Sequence, residues 1–134
     1  MRKEKTSFLN VPQVEVILSS DEFTPIEQNG EVFVFANIPL GVSGNRQYSL
    51  SNRNSCTIDC GMTLKIPKGY RIIIDLIQNL KDRGLVIYNN TIIGDNRLCF
   101  GVRNVGREIV VIDHLVAVAS IKIEPIYPLK FKIL

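Results

Sequence analysis

The segment that most constrains this chain is Leu64-Lys65-Ile66-Pro67-Lys68-Gly69-Tyr70, followed at once by the aliphatic run Ile72-Ile73-Ile74. Pro67 fixes its own φ and removes a backbone donor, while Gly69 supplies the conformational freedom that a chain reversal needs. A short apolar strand entering such a turn, with a second leaving it, is the pattern of an antiparallel hairpin. The same punctuation recurs downstream. Runs at 85–88, 91–93, 97–103, 108–112 and 115–124 are brief, rich in Val, Ile, Leu and Phe, and separated by Asn, Gly and Asp. Many short strands at such intervals predict a sandwich or barrel rather than strand–helix–strand units.

Upstream, Val14-Glu15-Val16-Ile17-Leu18 predicts a first strand that ends at Ser19-Ser20-Asp21. Glu31–Ala36 predicts another, introduced by Asn29-Gly30, the strongest short turn signal in the chain. From Gly41 to Asn54 the composition turns polar, which predicts a loop or wide hairpin. Helical spacing is confined to Asp75–Arg83, where Leu76, Ile77 and Leu80 fall near one face, Asp75 is placed to cap the start and Gly84 to stop it. The pattern is that of an all-β domain with at most one short helix.

At 134 residues the chain is read as one domain, 1–134, long enough to bury a core without staples. The net charge of +3 includes no dense basic run; the nearest, Arg2-Lys3-Glu4-Lys5, lies in a segment, 1–12, read as a frayed terminus, so nucleic-acid binding is not expected. Cys56, Cys60 and Cys99 are an odd count at spacings of neither a zinc site nor a disulfide scaffold, and His114 is the only imidazole. Free thiols in a reducing compartment are therefore expected, with no cofactor and no metal. No secretory signal and no apolar run of about 20 residues is present, so no membrane span is expected.

Taken in order, Ile66-Pro67-Lys68-Gly69-Tyr70, Arg83-Gly84-Leu85-Val86-Ile87, Thr91-Ile92-Ile93-Gly94-Asp95-Asn96, Leu98–Asn104 and Asp113–Ala119 resemble, over about half the chain, successive segments of the trimeric dUTPase family. The resemblance implies a dUTPase-like jelly roll or β-barrel, assembled as a homotrimer with exchanged C-terminal segments. It also sets the chemistry the family needs: a first-motif Asp, an Arg/Ser/Gly phosphate loop, a hairpin with a catalytic Asp and stacking Tyr, a divalent metal and a glycine-rich arm. Carried over, the first-motif Asp falls at Val32 beside Glu31, and the phosphate loop at Asp75–Asn79, where Asp75 would repel a phosphate. The hairpin Asp falls at Gly94 beside Asp95, and the arm has no glycine.

These departures give the expectation of a non-enzyme with no catalytic, cofactor-binding or metal residues. In character the chain is then similar to a catalytically dead, dUTPase-derived adenoviral early-region protein: a viral interaction module acting on host proteins in the cytoplasm or nucleus. The alternatives are a virion structural or decoration component, and an active dUTP nucleotidohydrolase or nucleotide-binding regulator. The carboxylates placed to serve the last are Glu31, Asp75, Asp95 and Asp113. For contacts, the segment 125–134 is read as a docking strand, because Tyr127, Leu129, Phe131 and Ile133 alternate with Lys130 and Lys132 and want a partner surface, as does the terminal Leu134. Val116-Ala117-Val118-Ala119 is read as too apolar on both faces to be an exposed edge, which also favours assembly. The loop Gly41–Asn54 is the second candidate contact.

Overall fold

The computed structural model describes residues 12–41 and 44–134. Eleven strands are defined there: β1 Glu15–Leu18, β2 Ile26–Gln28, β3 Glu31–Phe35, β4 Gln47–Leu50, β5 Ser55–Lys65, β6 Tyr70–Leu76, β7 Leu85–Tyr88, β8 Thr91–Ile92, β9 Asp95–Asn104, β10 Val110–Asp113 and β11 Ala117–Pro125. They form a four-stranded sheet ordered β1-β5-β9-β7, a five-stranded sheet ordered β2-β3-β11-β6-β8, and the pair β10-β4. The all-β expectation holds, and the sheets stay open: no barrel closes among the described residues.

The core follows the period of two. Ile58, Cys60, Met62 and Leu64 of β5 and Leu98, Phe100 and Val102 of β9 are all buried. They join Ile72, Ile74 and Leu76 of β6, Val34 of β3 and Val118 of β11 in one cluster. The Pro67–Tyr70 turn lies where expected, with the Tyr70 N–H donating to the Pro67 carbonyl and Gly69 at φ +88. Asn29 and Gly30 both take positive φ, 54 and 81, as a two-residue turn that matches strand twist requires, and join β2 to β3.

Three expectations change. The helix, α1, spans only Gln78–Asp82; Ile77 is its cap without a side-chain bond, and Asp75 belongs to β6. Segment 41–54 is not all loop, since β4 pairs with β10 from Gln47↔Asp113 to Leu50↔Val110. Finally, Val116–Ala119 is no exposed edge, as expected, but no second copy is needed to make it so: β11 lies in the middle of its own sheet, between β3 and β6, with Val118 and Ala119 buried, while Val116 just before it is 41% exposed.

Candidate functional site

The outer face of the five-stranded sheet carries the chain's polar convergence. β11 is antiparallel to both β3 and β6, so residues from distant parts of the sequence line up in rows across it. Ser120 lies opposite Phe33 on one side and Asp75 on the other. One row along, Lys122 lies opposite Ile73 and, because Ile121 pairs with Val32, beside Glu31. Side chains two apart on a strand share a face, and Ile74, Ile121 and Val32 therefore turn the other way, toward the interior. Glu31, Asp75 and Ser120 line two adjoining hollows: one of ≈ 290 Å³ with Lys122 and Asn90, the other with Phe33, Gln78 and Lys81.

Lys81 reaches from α1 to Asp75, Nζ to carboxylate oxygen 3.0 Å. Lys122 lies 3.6 Å from Glu124, which Arg71 also pairs at 3.1 Å. Glu31 is in no ion pair among the described residues. Asn90 donates its side-chain N–H to the Ile74 carbonyl at 3.2 Å and forms part of the cleft wall. The site thus offers two ammonium groups, two carboxylates, a hydroxyl and two amides on one open face.

Of the four carboxylates singled out from sequence, the structure brings together Glu31 and Asp75. Asp95 pairs with Lys65 in the other sheet, and Asp113 stands opposite Gln47. The sequence reading missed Ser120, Lys122 and Lys81. The signal for the first two was there: in Ala119-Ser120-Ile121-Lys122-Ile123-Glu124 polar and apolar residues alternate strictly. Asp75 does not stand bare against an incoming phosphate either, since Lys81 neutralises it. Among the described residues no three His, Cys, Asp or Glu side chains come close enough together to hold a metal ion by themselves.

His114 lies apart from this face. Its Nδ1 accepts the Ile38 N–H at 3.1 Å, its ring meets Phe23 edge-on at 5.9 Å between centroids, and its buried Nε2 has no partner among the described residues. Burial, then the nearby Arg46 guanidinium, hold its pKa below the usual imidazole value, with Glu22 opposing. Cys56, Cys60 and Cys99 are free; burial pushes Cys56 up to about 11 and Cys60 higher still, so neither is a ready nucleophile.

The predicted docking strand is not a strand in the single chain. Beyond Ile126, whose N–H donates to the Gly69 carbonyl, segment 127–134 leaves the sheet. Tyr127, Leu129, Phe131 and Ile133 are 81%, 79%, 84% and 94% exposed, and Leu134 is fully exposed. Among the described residues no helix is long and apolar enough to cross a membrane.

No family model matches the sequence, and no curated protein is similar to it. Solved structures are. A Staphylococcus bacteriophage 80alpha dUTPase superposes with a TM-score of 0.67 at 16% identity, covering 91% of this chain and 96% of that one. A dUTPase from phage phi11 of S. aureus, described with a structural Mg(II) ion, gives 0.68 at 17% identity, with 91% and 96% covered. An 80alpha dUTPase with dUpNHpp gives 0.69 at 15% identity, with 91% and 88% covered. The finer likeness to an adenoviral protein is not shown. The expectation of a non-enzyme is corrected: the structural neighbours are dUTPases, at 15–17% identity. At such identity the likeness establishes architecture, and this chain has the dUTPase-like fold.

Proposed function

We propose that this chain handles a nucleoside triphosphate on the outer face of its five-stranded sheet, as a dUTP-type nucleotide hydrolase or nucleotide-binding regulator. The observation that carries the reading is that Glu31, Asp75 and Ser120 line two adjoining hollows, one reaching Lys122 and the other Lys81, on a fold shared with a phage dUTPase solved with dUpNHpp. Lys81 and Lys122 are the groups that would hold phosphate oxygens through charge-assisted bonds. Ser120 adds a hydroxyl donor between them. Glu31 orients a water and takes its proton as the water oxygen attacks phosphorus, and the P–O bond to the leaving pyrophosphate breaks. Asp75, held by Lys81, positions that lysine.

Incubation with dUTP and magnesium, followed by pyrophosphate detection, tests this. Glu31→Gln is expected to lower turnover roughly a hundredfold with the fold intact. Wild-type protein that neither releases pyrophosphate nor binds dUTP would overturn the reading.

A second reading concerns assembly and rests on the exposed terminal segment. Four large apolar side chains and the terminal Leu134, all outside the protomer's core, call for a covering surface. The segment is assigned to contacts with neighbouring copies in a homotrimer, Tyr127, Leu129, Phe131 and Ile133 being the buried side. Light scattering that returns a stable monomer would sink it.

A further inference from the structure

No run of this sequence is densely basic, yet the fold gathers cations that the chain keeps far apart. Arg53 lies in the loop before β5, Arg83 just past α1, Arg103 near the end of β9 and Arg107 in the loop that follows it. All four are exposed. Backbone bonds lock these segments round the buried Asn104: the Arg53 N–H donates to the Asn104 carbonyl at 2.7 Å, the Asn104 N–H to the Asn54 carbonyl at 2.9 Å, and the Val105 N–H to the Gly84 carbonyl at 2.9 Å. The Asn52 side chain donates to the Gly106 carbonyl at 2.6 Å. Each arginine takes part in one of these bonds or adjoins a residue that does. Arg83 and Arg107 line one hollow, whose walls Asp82 and Glu108 share. None of the ion pairs between described residues involves any of the four arginines. Arg53 takes φ +72 between Asn52 and Asn54, a conformation that asparagine accepts more readily than arginine does.

Beside this cluster, the outer face of the four-stranded sheet carries an open aromatic ring. Leu98, Phe100 and Val102 are buried, so Gly101 and Arg103 turn outward. Gly101 pairs with Tyr88 on β7 and with Thr57 on β5; Arg103, one row along, pairs with Val86 and Ser55. The Tyr88 ring lies over Gly101, where it leaves no room for a Cβ, and Tyr88 is still 40% exposed. Rows two residues apart are separated by roughly 7 Å, so the ring and Arg103 face the same short stretch of a ligand.

We infer that this end of the four-stranded sheet binds single-stranded nucleic acid: a base stacks on Tyr88 while the phosphodiesters beside it run over Arg103 toward Arg53, Arg83 and Arg107. Guanidinium groups pair phosphate oxygens bidentately, and stacking of a base on an aromatic ring tolerates any sequence. A single strand fits where a duplex does not, because bases must be unstacked to reach a ring on a flat sheet, and the grooves admit a helix or a two-stranded ribbon. An acidic peptide would meet the arginines but offer the ring no flat partner. The surface lies in the other sheet from Glu31 and Asp75, so the inference stands apart from the nucleotide reading.

Fluorescence anisotropy of the full chain with a labelled oligothymidylate roughly 12 nucleotides long tests it. Affinity is expected to fall as salt rises. Arg53→Gln combined with Arg107→Gln is expected to weaken binding and to make the slope of log K against log salt shallower by roughly 1.4, the share of two phosphate contacts. Tyr88→Leu is expected to weaken binding roughly tenfold without changing that slope, and Tyr88→Phe, which keeps the ring, to bind as the wild type does. The substituted side chains are exposed, and far-ultraviolet circular dichroism checks that each variant is folded. Excess dUTP should not displace the oligonucleotide; displacement would put the strand against Glu31 and Asp75 and overturn the assignment. Wild-type affinity in the double arginine variant or in Tyr88→Leu would overturn it too. Absence of binding at low salt, or tighter binding of polyglutamate than of oligothymidylate, would give the surface to an acidic protein and end the inference.

Discussion

Arg97 grips both carboxylate oxygens of Asp59, Nε to Oδ1 at 3.2 Å and Nη2 to Oδ2 at 2.7 Å, across the break in the β5–β9 ladder. The ladder loses register between Asp59 and Thr63, and the fork spans that irregularity. Asp59 Oδ2 also accepts from Asn37 at 2.8 Å and from the Gly61 N–H at 3.1 Å, while Arg97 donates to Ser19 at 3.1 Å. Asp59 and Arg97 together thus tie the bulge, the segment after β3 and the segment after β1.

The two partners are not equivalent, and their removal should show it. Asp59→Ala strands the Asn37 amide and the Gly61 N–H as well as the guanidinium, and is expected to cost about 1–3 kcal/mol in urea denaturation. Arg97→Ala leaves the other acceptor bonds of Asp59 in place. Its side chain is 44% exposed, so water and salt take over much of its role, and about 1 kcal/mol or less is expected. Equal losses would mean that the ion pair, not the backbone anchoring, dominates.

A different polar centre is wholly dry. Asn104 is fully buried, and its side chain donates to the Leu50 and Glu108 carbonyls, each at 2.8 Å, and accepts the Gly106 N–H at 2.9 Å. Asn104→Asp keeps the shape and replaces the double donor by an acceptor aimed at two carbonyls. It is expected to lose about 3 kcal/mol or more near neutral pH, since a buried charge would face no compensating partner. Thermal melts of Asn104→Asp recorded at low pH should recover part of the loss as the carboxyl protonates, which simple cavity formation would not do.

The strands were readable and the site was not, for one reason. Alternation is local, so the bounds 85–88 for β7 and the Asn29-Gly30 turn follow from neighbouring residues. Ser55–Cys60 escaped notice although Cys56, Ile58 and Cys60 alternate with polar residues, because Asn52 and Asn54 extend the preceding loop's composition into it. The bulge that follows is marked only by Gly61, whose φ of +73 and whose contact with the Phe23 ring leave no room for a Cβ. Glu31 and Asp75, by contrast, meet only because β11 inserts between β3 and β6, a sheet order that no local pattern encodes. Carry-over by alignment located each residue singly and so missed the compensation of Asp75 by Lys81.

His114 gives a pH dependence with a definite sign. Its folded pKa lies below the unfolded value of 6.5, because burial and Arg46 disfavour the imidazolium and because Nδ1 must stay unprotonated to accept the Ile38 N–H. The contribution is complete above pH 6.5 and is lost as pH falls from there toward the folded pKa, since the unfolded chain takes up the proton first. Urea midpoints should therefore decline below pH 6.5 in the wild type. In His114→Gln that component should flatten. An unchanged profile in the variant would assign the dependence to carboxylates instead.

Within the cleft, binding and stability should separate. The Lys81–Asp75 pair is 39% and 62% exposed, so Lys81→Met is expected to change unfolding free energy by less than about 0.5 kcal/mol. The same variant should weaken dUTP binding roughly tenfold, because a charge-assisted phosphate contact is lost. Asp75→Asn tests the positioning role. It should raise the apparent KM for dUTP with little change in kcat, whereas Glu31→Gln should lower kcat.

The terminal segment should be separable from the fold that carries it. The last backbone bond that ties it to the sheet is Ile126 N–H to Gly69 O at 2.8 Å, and β11 ends at Pro125. Residues 127–134 add nothing to the buried core of the protomer, so their deletion is expected to leave the far-ultraviolet circular dichroism unchanged. If they bridge copies, the truncated chain should elute as a monomer, and the concentration dependence of Tm that mass action imposes on an oligomer should disappear. A milder pair, Leu129→Ser with Phe131→Ser, should weaken assembly in the same direction while keeping the chain length. Retention of the trimer by the truncated protein would move the interface to the sheet faces and leave the exposed apolar arm free for another partner.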